Sequence, residues 1–114
     1  VVFYANYLKF YERARTEMLR DMGFEQDQLI EQESVIFVVR SVQVDYLKPA
    51  KFNDLITVSA KVALLKSASL SFEQAITRGD DILSKAMIRI ACLDAKTMRP
   101  KQIPKQLKRA LNYE

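Results

Sequence analysis

The sequence predicts an α+β fold made of one long amphipathic helix, an antiparallel sheet of four strands and a short helix at the C-terminal end. Three observations carry this. Apolar residues near the start recur at three- and four-residue spacings, those in the middle recur every second residue, and the later alternating runs are joined by segments short enough for hairpins.

The first helix is written by Tyr7, Tyr11, Ala14, Met18 and Met22, with Ala5, Leu8 and Leu19 beside them. This stripe predicts a helix over about residues 5 to 22, roughly 27 Å long at 1.5 Å per residue. The opposite face is charged, with Lys9 and Glu12, Arg13 and Glu17, and Glu17 and Arg20 three or four residues apart. Gly23 is suited to the left-handed conformation that ends a helix. A polar connection is expected from Glu25 to Ser34.

Four alternating runs follow. Ile36, Val38, Val42, Val44 and Tyr46 form the first, which Lys48-Pro49-Ala50 breaks; Asp45 and Asp54 flank that turn and are expected to organise it. Ile56 to Leu64 and Leu70 to Ile76 form the second and third, and the fourth carries Ala86, Ile88, Ile90 and Cys92 on one side and Lys85, Met87, Arg89 and Ala91 on the other. Lys66-Ser67-Ala68 and Arg78-Gly79-Asp80-Asp81 are hairpin joins. Past Asp94, Arg99-Pro100 and Ile103-Pro104 predict an irregular arm, and Pro104 can start a short helix with Leu107, Ala110 and Leu111 inward.

With 114 residues, 49% of them hydrophobic and 28% charged, the chain reads as one domain over residues 1–114 and not as a disordered segment. One helix laid on one sheet is a thin layer, so a homo-oligomer is expected to cover what remains. There is no apolar run of membrane-spanning length and no secretory leader pattern. The single cysteine, Cys92, cannot form an intrachain disulfide, which fits a reducing, cytoplasmic compartment. The net charge of +4 is local: from Lys96 onward six basic residues face Glu114 alone, giving +5 there and leaving −1 for the rest. A solvated surface, phosphate groups or an anionic membrane surface would all suit this arm. No nucleic-acid motif accompanies it, so no nucleic-acid partner is expected.

The inventory excludes much chemistry. No histidine is present, which removes Ser-His-Asp and Cys-His constellations and His-ligated zinc. Two glycines, Gly23 and Gly79, cannot build a glycine-rich phosphate loop. Cys92, set among Ile90, Ala91 and Leu93, reads as a small buried hydrophobe. Neither a metal nor a cofactor is expected, so catalysis would rest on a carboxylate and backbone dipoles. Glu12, Glu17 and Glu73 sit on polar faces, and none stands out as a general base.

The segment Val1-Val2-Phe3-Tyr4-Ala5-Asn6-Tyr7 resembles the second half of a motif of the 4-hydroxybenzoyl-CoA thioesterase-like hotdog enzymes. In that motif an aspartate, two variable residues and a glycine lead into paired aliphatics and an aromatic. The likeness continues through FYERARTEML, FVVRSVQVDYLKPAKFND, SASLSFEQ and MRPKQIPK, and is nearest to the bacterial Tol-Pal-associated acyl-CoA thioesterases. It implies a hotdog fold, in which the sheet wraps the long helix and two subunits join their sheets, as a dimer or a tetramer. It also implies that a first strand and the catalytic aspartate precede Val1, with the aspartate acting as nucleophile or as activator of water.

The activity implied is hydrolysis of short-chain or aromatic acyl-CoA, or of acyl-carrier-protein thioesters. By resemblance the backbone N–H of Tyr4 polarises the thioester carbonyl while its side chain lines the acyl pocket. Asn6 and Tyr7 stand beside it, and Lys66, Ser67 and Ser69 contact pantetheine or phosphate. Phe3 stands where Tyr or Trp is common, and Tyr4 where histidine is common among the Tol-Pal-associated members; the backbone donor survives these changes, while pocket shape does not. A non-catalytic acyl-binding hotdog, or a cystatin-like scaffold, is the competing reading. A cystatin-like scaffold leaves the Val1–Tyr7 match unexplained.

Overall fold

Helix α1 spans Tyr4–Asp21, one residue earlier at each end than its apolar spacing predicts. The computed structural model describes residues 4–51 and 53–112, so the motif residues Val1, Val2 and Phe3 lie outside the described residues. Gly23, with φ of 92°, closes the helix as the sequence predicts. The Gly23 N–H donates to the Arg20 carbonyl and the Phe24 N–H to the Leu19 carbonyl, each at 2.9 Å, the paired bonds of a Schellman ending.

The segment expected as a polar connection is helical instead. A short α2, Gln26–Gln28, runs into a π-helical turn, Leu29–Glu33. Its polarity reflects exposure and not lack of structure: Leu29 alone is buried there, and Lys101 Nζ donates to the Glu33 carbonyl at 3.0 Å. Tertiary anchoring thus supplies what local periodicity does not show.

Strands β1 (Val35–Tyr46), β2 (Thr57–Leu65), β3 (Ser69–Arg78) and β4 (Asp81–Asp94) form one antiparallel sheet in the order β1-β4-β3-β2. The two predicted hairpins are present. The segment from 47 to 56 carries the chain from one edge of the sheet to the other, since β1 and β2 lie at opposite edges.

One part of the β1 pattern departs from expectation. Val39 pairs with Ile90 and Ser41 with Arg89, so Arg40 is an extra residue in a β-bulge. A bulge reverses the alternation on one side of itself. Phe37 and Val39, opposite Cys92 and Ile90, therefore share the inner face with Val42, Val44 and Tyr46, whereas Ile36 and Val38 lie on the outer face. Asp45, opposite Lys85 on that outer face, does not organise the Pro49 turn.

The core lies between the inner face of the sheet and two helices. Tyr7 and Tyr11 of α1, Leu70, Phe72 and Ile76 of β3, and Ile88, Ile90 and Cys92 of β4 are all buried. Helix α3, Lys105–Asn112, adds Leu107 and Leu111 to the same cluster, as predicted from the residues after Pro104. The arm before it continues the ladder where β3 has ended. Pro100 bridges to Leu93, the Lys101 N–H donates to the Cys92 carbonyl at 3.0 Å, and the Ile103 N–H donates to the Ser67 carbonyl at 2.8 Å.

Candidate active site

Helix α1 is the longest helix among the described residues, and its Tyr11 sits on Ser84, eight residues along β4 from Cys92, where the C-terminal arm bonds. The first four N–H groups of a helix have no partner within it, and they form the positive end of its dipole. Here that end is Tyr4 to Tyr7, a turn with no acidic side chain to neutralise it.

Asn6 and Tyr7 line the mouth of an open groove of about 1090 Å³. The groove runs between one flank of α1, with Phe10, Ala14, Met18 and Met22, and Ala50, Ile56, Val58 and Ala60 at the β2 edge. Arg13, Glu17, Asp21, Lys51 and Asp54 rim it. Its floor is therefore apolar and its lip charged, the character expected of a surface that takes an apolar chain. Tyr7 is 2% exposed and its ring lies 5.6 Å from that of Tyr46 and 6.4 Å from that of Phe10, so it serves the core and the groove together.

A second, smaller cavity of about 120 Å³ lies on the other flank of α1. Leu19, Phe37, Val39, Leu70, Phe72, Ile90, Leu107 and Leu111 form its walls, and Glu12, Arg15, Thr16 and Gln26 its opening.

Two clusters of charge frame these spaces. Asp54 accepts from the Lys51 N–H at 2.7 Å and from Arg78 Nη1 at 2.6 Å, and Arg78 also meets the Pro49 carbonyl and Asp81. Lys48 Nζ donates to Asp81 at 3.0 Å. The Lys51 N–H and then Arg78 hold the Asp54 carboxyl below its ordinary range, and Lys48 does the same for Asp81. This lattice fastens the 47–56 segment, and so the groove wall, to the β3–β4 hairpin. Both acids are committed to cations, which leaves neither free to act as a base.

The remaining predicted residues lie elsewhere. Lys66 and Ser67 are exposed in the β2–β3 turn, where the Lys66 N–H donates to the Ser69 carbonyl at 2.8 Å, and Ser69 pairs with Ala91. Tyr11 binds Ser84, seven residues from Ala91 along β4, a span of about 23 Å at 3.3 Å per residue. Tyr4 lies farther still up the helix. One chain therefore separates Tyr4, Asn6 and Tyr7 from Lys66, Ser67 and Ser69 by the length of the sheet. Through the Ile103–Ser67 bond, the second set adjoins the basic arm.

Sequence reasoning missed Gln74. It lies on the inner face, 2% exposed, in the alternation Leu70, Phe72, Gln74, Ile76. A polar residue in the buried register of an apolar strand was the signal available.

Comparison with known proteins gives this arrangement a family. The sequence matches the Thioesterase superfamily over residues 1–85. It is 42% identical over 113 residues to the acyl-CoA thioesterase YbgC of Haemophilus influenzae, covering 99% of this chain and 83% of that protein. To the acyl-CoA thioester hydrolase YbgC of Escherichia coli O157:H7 it is 39% identical over 108 residues, covering 94% and 80%. Among solved structures, a probable thioesterase from Bartonella henselae superposes with a TM-score of 0.84 at 36% identity, covering 91% of this chain and 86% of that one. The helix laid across an antiparallel sheet is accordingly the hotdog arrangement, and the chain belongs to the thioesterase superfamily.

Proposed function

We propose that the protein hydrolyses acyl-CoA thioesters to a free acid and CoA, with short-chain or aromatic acyl groups as substrates. The observation that carries this reading is the start of α1, a first turn without acidic residues that opens beside an apolar groove. Attack on a thioester develops negative charge on the carbonyl oxygen, and helix N-terminal amides are suited to receive it. The Tyr4 N–H is the donor in this proposal, and Asn6 and Tyr7 shape the space around the acyl carbonyl. A carboxylate from the segment that precedes Val1 in the family pattern attacks the carbonyl or activates water for that attack. The reaction needs no metal or cofactor, and the chain works in the cytoplasm.

Lys66, Ser67 and Ser69, with the neighbouring basic arm, serve the CoA phosphates and pantetheine. Their distance from Tyr4 within one chain is accounted for if they act on the substrate of a second subunit. That requires a dimer or a tetramer, and β1 supplies a surface for it: Val39, Val42 and Tyr46 on its inner face are 50%, 46% and 42% exposed. An acyl-carrier protein carrying the same kind of thioester is the alternative donor in this proposal.

The test is thiol release from a panel of acyl-CoAs by the natural full-length protein. Turnover of short-chain or aromatic acyl-CoA is the expected result, and replacing with alanine the aspartate that the family pattern puts ahead of Val1 should abolish it. Tight acyl-CoA binding without turnover would favour the non-catalytic reading instead.

A further inference from the structure

We infer that Gln74 is a positioning residue that sets where the start of α1 stands over the sheet. Its side chain is buried at the crossing of helix and sheet, and each polar group is used. Arg15 Nη1 donates to Gln74 Oε1 at 2.9 Å, while Gln74 Nε2 donates to the Tyr11 carbonyl at 3.0 Å and to the Ser59 carbonyl at 3.2 Å. A primary amide has two N–H donors, and here one goes to the helix and the other to the edge strand. The Tyr11 hydroxyl donates to Ser84 Oγ of β4 at 2.7 Å. One turn and a half of helix is thereby tied to β2, β3 and β4.

The neighbours show that the site is built for close approach. Gln74 lies opposite Ala60 of β2 and Ala86 of β4, so small side chains flank it on both sides and the helix backbone can come down to the amide. An apolar side chain would fill the same volume without fixing the rotation or the slide of α1. Directional bonds at Tyr11 and Arg15 fix both. Tyr4 lies seven residues earlier, about 10 Å along the axis, so a small rotation at the pin displaces the first-turn amides. Misplacing a catalytic group by an ångström costs rate more than it costs binding.

The inference rests on the reading of the α1 start as the oxyanion donor, and its test separates the two. In the full-length protein, Gln74→Met keeps the chain length and removes all three bonds. Gln74→Glu keeps the bond from Arg15 but turns an ionised oxygen toward two carbonyls. The measurements are kcat and KM with butyryl-CoA and benzoyl-CoA, and hydrogen–deuterium exchange of the α1 amides against those of β3 and β4.

Gln74→Met should lower kcat by roughly 10-fold or more with KM within about twofold, and should speed exchange in α1 while β3 and β4 stay protected. Gln74→Glu should regain activity relative to the native enzyme as pH falls, because a protonated carboxyl can again donate to a carbonyl. Native kcat in both folded variants, a change in KM alone, or unchanged α1 exchange overturns the inference. If Gln74→Met does not fold, the pH profile and exchange of Gln74→Glu decide. If the native protein shows no turnover, the hydrolase reading falls, and α1 exchange alone judges the pin.

Discussion

At Tyr4 the proposed chemistry depends on a backbone hydrogen, and a backbone hydrogen can be removed. Proline is tolerated at the first position of a helix, where its ring fits the required φ and its missing N–H breaks no intrahelical bond. Tyr4→Pro should leave the circular dichroism spectrum intact and lower kcat by about 10²-fold or more, the usual loss when one oxyanion donor goes. Tyr4→Ala, which keeps the N–H, should retain a kcat much nearer the native value. Cys92 gives a contrasting case: burial pushes its thiol up to about 11, far from thiolate at neutral pH. A thiol reagent should label it only after denaturation. Its role as a core residue was legible from its apolar neighbours. For Gln74 only the inward register, shared with Leu70, Phe72 and Ile76, was legible; which backbone groups its amide meets was not, because those partners lie on other elements.

Among the elements, α1 and the two hairpins were legible because their signals are local: a 3.6-residue period, a stop glycine, short joins. The place of β1 beside β4 was not, since nothing in either strand names its partner. The helical turn at Leu29 was hidden by its exposed polar residues. Helix α3 has a thin but decisive anchor in Leu107, 1% exposed, and Leu107→Ala should cost about 2–5 kcal/mol in denaturant unfolding.

The lattice of Lys48, Asp54, Arg78 and Asp81 should show itself through pH. Both acids titrate below their ordinary range when folded, so the unfolded chain takes up protons first as acid is added. Their stabilisation is in place above about pH 4, the ordinary aspartate value, and is lost as pH falls through the depressed values. The melting temperature should therefore drop below about pH 4 in the native protein, and drop less steeply in Arg78→Met.

For the whole molecule, it is under the proposed function that the separation of the two predicted residue sets calls for assembly. Placing a charge on the β1 face with Val42→Lys should shift sedimentation toward the monomer and lower kcat together, while the far-ultraviolet spectrum stays native. Lys66→Glu should raise KM for acyl-CoA several-fold at low salt with kcat little changed. That difference should shrink toward about 1 M salt, where charges act over only ~3 Å. The family likeness pointed to both sets, but their opposite placement could not be read from the chain, since sequence spacing says nothing of which end of a sheet a turn occupies.

The extra residue at Arg40 also bears on how this protein can tolerate change. Removing it would leave Val39 opposite Ile90 and Ser41 opposite Arg89 as chain neighbours, so the alternation would run unbroken and Phe37, Val39, Val42 and Val44 would all keep the inner face. What the strand would lose is the bend and added twist that a bulge imposes. Deletion at position 40 should thus be borne with the interior intact, whereas deleting Phe37 would turn Val35 and Ile36 over.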